Sequence, residues 1–261
     1  MNYQGTFPNV FNSHLALIAL AGLVFLASFS AKSEEIKVVT EYLPPYQIKL
    51  EDGSLGGYAT EVISELFRIT GDIPDIHILP WARAYGIARR EPNILVYSIA
   101  HTKVRDPLFH WVGPLKYERF YFWGLKSKIT KEYESLDSIK GMLIASINEN
   151  NTEQYLIENG FKNIYKVVKG EQRLLMLEKQ RIDIILSNEL ILKSLSHSID
   201  YDFSKLKKLQ EAKGLQSNLS IAFGFNTEPK LIERFQAAYA ELVTSGKLRE
   251  IKHKWSIVDE S

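Results

Sequence analysis

The spacings that would mark a catalytic or metal site are missing from this chain, which lowers an enzyme reading without being proof against catalysis. There is no cysteine, which excludes thiolate nucleophiles, disulfides, Cys-ligated metals and a lipid-modified N-terminal cysteine. The six histidines, at 14, 77, 101, 110, 197 and 253, make neither an H-x-x-x-H nor an H-E-x-x-H pair for a metal. No G-x-S-x-G, no phosphate-cradling G-x-x-x-x-G-K and no G-x-G-x-x-G after a strand occurs. Arg105 follows the apolar run 94–99. Its guanidinium is planar, always charged and able to make two parallel N–H···O bonds to a carboxylate, though neighbouring Asp106 offers an ordinary surface ion pair instead. Tyr42, Tyr46 and Trp81 can supply rigid, dry faces that also hold cations, or can be plain core.

These residues sit among recurrent apolar, β-branched runs at 36–40, 94–99, 120–125, 142–147, 164–168, 182–186 and 219–225. Helical periodicity intervenes. Val62, Ile63, Leu66, Phe67 and Ile69 make one face across 58–70, and Leu231, Ile232, Phe235, Tyr239 and Leu242 make another across 229–245. Alternation of this kind predicts an α/β architecture with largely parallel sheets. Asp52-Gly53 predicts a hairpin turn. A chain of 261 residues suits one large or two modest domains, and no low-complexity linker, repeat or charge block separates them. Two domains without a linker point to one inserted in the other. The composition is that of an ordered globular protein, 45% hydrophobic and 24% charged. With 32 Lys+Arg against 31 Asp+Glu there is no basic field for a phosphate backbone, so nucleic acid is not an expected partner.

At the N-terminus, residues 15–31 carry no charge and are all apolar or small, and Lys32-Ser33-Glu34-Glu35 follows at once. As a helix this is roughly 25 Å, short of a ~30 Å hydrocarbon core. Small residues at Ser28, Ser30, Ala31 and Ser33 suit signal peptidase, although residues 1–14 contain no Lys or Arg. The expectation is a cleaved signal peptide over 1–33, and export to a periplasm. An uncleaved anchor is the alternative.

Ordered blocks carry a resemblance over almost the whole mature chain. They are Thr40-Glu41-Tyr42-Leu43-Pro44-Pro45-Tyr46, Asp52-Gly53-Ser54-Leu55-Gly56-Gly57-Tyr58, Pro80-Trp81-Ala82-Arg83-Ala84-Tyr85, Ser98-Ile99-Ala100-His101-Thr102-Lys103-Val104-Arg105-Asp106, and Trp111-Val112-Gly113-Pro114. Further on come Leu136-Asp137-Ser138-Ile139-Lys140-Gly141, Thr152-Glu153-Gln154-Tyr155-Leu156, Gln180-Arg181-Ile182-Asp183 and Gly246-Lys247-Leu248. Together they resemble the family 3 periplasmic solute-binding proteins, whose best-known members deliver polar amino acids to ABC transporters.

The resemblance implies two α/β lobes of the type II, Venus-flytrap kind, with lobe 2 inserted into lobe 1. Lobe 1 would be 34–118 plus 224–261, and lobe 2 would be 119–223. It implies no cofactor, a monomer, a small carboxylate-bearing or amino-acid-like ligand in the cleft and an inner-membrane ABC permease as partner. Arg105 matches the family's ligand-carboxylate Arg, and Ser98 and Thr102 lie in the same block, Thr102 either donating its hydroxyl or capping the turn. Ala100 departs from the pattern, where many members carry a polar residue. Tyr42, Tyr46 and Trp81 would wall the cleft, and Glu41 would meet a ligand ammonium or be a solvated strand end. Asn150-Asn151-Thr152 would serve as ligand-binding turn, helix cap or both, replacing a Gly-Ser-Thr-like turn. Asn188 stands where amino-acid binders usually carry an Asp for the ammonium. Two other functions use the same fold. A dehydratase of the cyclohexadienyl or arogenate type would need a proton donor, with Glu41 or Glu189 available, and a sensory module would need a different partner.

Overall fold

The protein is described by a computed structural model over residues 35–215 and 217–258, together with Met1. Apart from Met1, the expected signal segment, 1–33, lies outside the described residues.

Alternating β-branched and amphipathic segments build two five-stranded sheets. The first half supplies β1 (Glu35–Thr40), β2 (Ile48–Lys49), β3 (Leu55–Gly56), α1 (Tyr58–Thr70), β4 (Ile73–Ile78), α2 (Trp81–Arg90), β5 (Leu95–His101), a 3-10 turn (Asp106–Leu108) and β6 (Phe109–Glu118). The second supplies β7 (Tyr121–Leu125), β8 (Ile144–Ile147), α3 (Asn151–Glu158), β9 (Ile164–Val167), α4 (Gly170–Glu178), β10 (Ile184–Ser187), α5 (Glu189–Ser198) and β11 (Leu206–Glu211). The chain then adds β12 (Ser217–Gly224), α6 (Pro229–Thr244) and α7 (Lys247–Lys254). Sheet order is β4-β1-β5-β12-β6 in the first lobe and β11-β7-β10-β8-β9 in the second.

Both sheets are mixed rather than largely parallel. β4-β1-β5 and β10-β8-β9 are parallel, while β12 and β7 run antiparallel to their neighbours. β12 pairs along its whole length with β6, from Ser217 opposite Glu118 to Gly224 opposite Phe109. Residues 217–223, assigned from the sequence to the second lobe, therefore belong to the first sheet, and the return crossing lies before Ser217. The apolar run 219–225 marked the strand and not the crossing. The outward crossing is the short segment 119–120, and Ala212 N–H donates to Phe120 C=O, so the two connections run side by side.

In the first lobe α1 and α6 cover the sheet, with Phe235 edge-on to Phe67 at 5.0 Å and to Phe223 at 5.2 Å. In the second, Phe122 stacks on Phe161 at 5.6 Å over buried Ile139, Ile144, Leu156 and Leu186. Gly57 fixes the entry to α1. Its φ is 104°, and a Cβ there would sit 2.4 Å from the Tyr46 carbonyl oxygen, so a side chain fits neither sterically nor conformationally. Among the described residues no helix is long and apolar enough to cross a membrane, and no cluster of His, Asp and Glu is placed to hold a metal.

Candidate functional site

The parallel strands of both lobes point their carboxyl ends at one interlobe cleft, where α/β proteins commonly bind ligands. Glu41 and Tyr42 follow β1, Trp81 opens α2 after β4, and Arg105 follows β5. Across from them, Glu149–Asn151 follow β8, Lys169 and Gly170 follow β9, and Asn188 follows β10.

Arg105 is the centre of the first-lobe side. It is 3% exposed, and its guanidinium carbon lies 5.1 Å from the Trp81 ring centroid and 4.8 Å from that of Tyr85. Trp81 and Tyr85, one helical turn apart on α2, are themselves stacked at 5.6 Å. Nη1 of Arg105 donates to Ala100 C=O at 3.3 Å. Burial lowers its pKa from the ordinary guanidinium value, with Tyr85 and Glu41 opposing. Asp106, the surface partner considered from sequence, binds His101 instead at 2.6 Å. Thr102 caps the turn: its carbonyl and, at 3.4 Å, its hydroxyl accept from Arg105 N–H, and it lines a neighbouring cavity with Asn151.

The second lobe reaches the same place through a backbone carbonyl. Glu149 C=O accepts from Trp81 Nε1–H at 2.9 Å and from Arg105 Nη2–H at 3.1 Å. Glu149 takes a left-handed backbone, φ 60°, unusual for a residue with a side chain. Asn150 caps α3 by accepting from Thr152 N–H, and the Thr152 hydroxyl shares a 2.9 Å bond with Ser146. Asn151 is 6% exposed, and its Nδ2 has no partner among the described residues.

Glu41, Tyr42, Trp81, Lys169 and Gly170 line a cavity of about 240 Å³ between the lobes. Burial pushes the Glu41 carboxyl up to about 7, against the pull of Arg173 and then Arg105. Arg173, on α4, is 4% exposed and donates to Leu186 C=O at 3.0 Å and Gly170 C=O at 3.4 Å. Burial brings its pKa down to about 10, with Glu41 and Glu171 opposing. A larger cavity, about 510 Å³ beside Ile129 and Asp183, lies at the opposite end of the second sheet, away from the strand carboxyl ends.

Other sequence-predicted residues fall elsewhere. Tyr46 is fully buried in the first lobe, edge-on to Tyr58 at 6.1 Å with its hydroxyl on Glu118, so it lies in the core rather than on the cleft wall. Ser98 is buried and accepts from Gln47 Nε2, and its φ of 58° accompanies a register shift between β5 and β12. Asn188 caps α5: its side-chain carbonyl accepts from Leu190 and Ile191 N–H, and Nδ2 donates to Arg119 C=O. The carbonyl expected to face an ammonium is thus occupied within its own helix. Sequence reasoning missed Tyr85, whose i+4 spacing from Trp81 was the available signal, and Glu149 and Arg173, which carry none.

No family model and no curated protein matches the chain. Solved structures do match. A histidine kinase sensor domain with similarity to periplasmic binding proteins aligns with a TM-score of 0.77 at 16% identity, over 88% of this chain and 98% of its own. ArtJ, an arginine-, lysine-, histidine-binding protein from Geobacillus stearothermophilus, aligns at 0.75 and 15% identity, over 87% of this chain and 97% of its own. An ancestral arginine-binding protein aligns at 0.73 and 17%, over 85% and 97%. The chain has the two-lobe α/β fold of the periplasmic binding proteins.

Proposed function

We propose that the protein is an exported, non-catalytic binding protein that clamps a small carboxylate-bearing, amino-acid-like solute between its lobes and presents it to an inner-membrane ABC permease. The observation that carries this reading is Arg105: a buried guanidinium at a strand carboxyl end, packed against two stacked aromatic rings, with an oxygen of the opposite lobe as its acceptor. A ligand carboxylate is a stronger acceptor than that carbonyl, because charge-assisted bonds are roughly twice as strong as neutral ones. The hinges are the segment 119–120 and the connection between Glu211 and Ser217. Closure adds affinity because ligand contacts to the second lobe exist in the closed state alone.

Of the two acids that a dehydratase could use, one lacks the proton it would need. Glu189 is bonded to Lys193 and Lys208, which outweigh its partial burial and hold its carboxyl below the ordinary value, so it carries no proton to donate at neutral pH. Glu41 alone keeps a proton near neutrality. A sensory role uses the same clamp with a different reader of the closed state, and the likeness to a sensor domain supports it as the second reading. Thermal-shift screening of L-amino acids and small carboxylates tests the proposal. A raised melting temperature with the ligand recovered unchanged is expected. A ligand consumed on incubation establishes the enzyme, and no shift with any compound overturns the binding reading.

A further inference from the structure

Among the described residues of the cleft, Glu41 alone is an acid both buried and unpaired. It is 7% exposed, and its carboxyl makes no hydrogen bond and no ion pair. Burial dominates its surroundings, and Arg173 and then Arg105 act on it only through their fields. A buried carboxyl without a contacting partner is costly, and a ligand that supplies the partner recovers that cost. Glu41 lines the 240 Å³ interlobe cavity beside Tyr42 and Trp81, and Lys169 and Glu171 line it from the second lobe. The charged lining is thus two carboxyls against one ammonium, and Lys169 is exposed. Aromatic faces next to a carboxylate form the surface that a cation prefers. The space is below the about 300–1,000 Å³ of a drug-sized site, which suits a short chain with one head group.

Arg105 lies outside this cavity and lines another, with Glu149 and Glu153. Trp81 links the two, because it lines the Glu41 cavity and packs its ring against the Arg105 guanidinium. A carboxylate on Arg105 and a cation on Glu41 therefore occupy different cavities, and a single carbon cannot carry both. An ammonium next to the carboxylate finds nothing equivalent to Glu41. Asn188 spends its carbonyl on the first turn of α5. Of the acids beside Arg105, Glu153 is paired with Lys166 at 2.6 Å, Glu158 accepts from Gln154 at 2.9 Å, and Glu149 is exposed to water. We propose that the cleft selects ω-cationic carboxylates, with the carboxylate and the ammonium at opposite ends of a short chain, over α-amino acids with neutral side chains. Glu41 receives the cation between Tyr42 and Trp81. The inference rests on the reading of this cleft as the ligand site, and it makes Glu41 the specificity-determining residue, because Arg105 serves any monocarboxylate.

Calorimetry at pH 8 with the mature chain tests it, using γ-aminobutyrate, δ-aminovalerate and ε-aminocaproate, each against the plain acid of the same length, with L-norvaline and L-ornithine alongside. At least one ω-amino acid is expected to bind about tenfold or more tightly than both its plain acid and L-norvaline, the scale of one charge-assisted bond. L-ornithine, which adds an α-ammonium to δ-aminovalerate, is expected to bind no more tightly than δ-aminovalerate. In Glu41→Gln the margin over the plain acid falls toward one while the plain acid binds as before, and Glu41→Asp retains part of the margin. A margin below tenfold for all three ω-amino acids overturns the inference and leaves the binding reading standing. So does L-ornithine bound tenfold more tightly than δ-aminovalerate, or a Glu41→Gln margin equal to the wild type. Binding of none of the probes also overturns the inference, and together with no thermal shift in the wider screen it overturns the binding reading as well. If Glu41→Gln lacks a cooperative melt, the wild-type panel and the aspartate variant decide.

Discussion

The two walls of the cleft are built differently. On the first lobe the strands end in an assembled unit: Trp81 and Tyr85 are locked on one helix face, and Arg105 is wedged against both and tethered to Ala100 C=O. On the second lobe the strands end in helix caps. Asn150 and Asn188 spend their side chains on α3 and α5, and the nearest group to Arg105 is a main-chain oxygen. The first wall is pre-organised for an anion before any ligand arrives, which lowers the ordering cost of binding. On the proposed clamp, the second completes the site only when the lobes are together. Affinity should therefore be concentrated in the first lobe, and the open–closed balance in the second.

The largest effect is expected from dismantling the first wall. Arg105→Ala should weaken carboxylate binding by about 100-fold or more, since removing one partner of a desolvated ion pair costs about 3–5 kcal/mol. Its melting transition should remain cooperative. Arg105→Lys should recover little, for want of two-pronged geometry and ring stacking. Near wild-type affinity of the alanine variant by calorimetry would remove the first lobe's claim.

A smaller effect is expected on the second wall. The left-handed backbone of Glu149 aims its carbonyl across the cleft, and that conformation costs a non-glycine residue about 1–2 kcal/mol. Glu149→Val, with a β-branched side chain at that φ, should favour the open state and give a larger radius of gyration by solution scattering without ligand. Glu149→Gly should keep the wild-type curve. Superimposable curves for all three proteins would show that this carbonyl does not hold the lobes.

The smallest effect concerns Glu41, and its sign follows from proton uptake. The unfolded carboxyl ionises near 4.5, and burial pushes the folded one up to about 7. Between those values the folded state holds a proton that the unfolded state has lost, so stability falls as pH rises through the window and levels off above it. Glu41→Gln removes this dependence. The melting-temperature difference, wild type minus variant, should therefore decline from pH 4.5 to pH 7 and be flat beyond. A difference that is constant across the window would mean that Glu41 is already ionised in the fold.

Much of this frame was legible in the sequence, for reasons that also explain what was not. α1 coincides with the 58–70 periodicity because its apolar face is continuous and Gly71 stops it in a left-handed turn. β1, β5 and β9 lie in apolar runs. β4 escaped because Pro74, Asp75 and His77 interrupt its pattern, which an edge strand tolerates, and β11 because Lys207 and Lys208 interrupt its own. At the site, Glu41, Tyr42, Trp81, Arg105 and Asn151 converge on the interlobe region from both chain halves. Tyr46 and Asn188 do not, because one sequence leaves open whether a side chain at a strand end turns to the cleft, the core or its own helix. Arg173 was invisible for the opposite reason: an arginine on a helix ordinarily reads as solvated, and its burial follows only from the packing of α4 against the strand ends.

Native mass spectrometry of the protein released from cells by osmotic shock, without dialysis, addresses the proposed clamp most directly, because the ligand need not be known beforehand. The expected spectrum is the chain beginning near Ser33–Glu34 plus the mass of one small acid, with that adduct missing from Arg105→Ala prepared identically. An empty wild-type protein, or equal occupancy in the two proteins, would contradict a carboxylate held by Arg105.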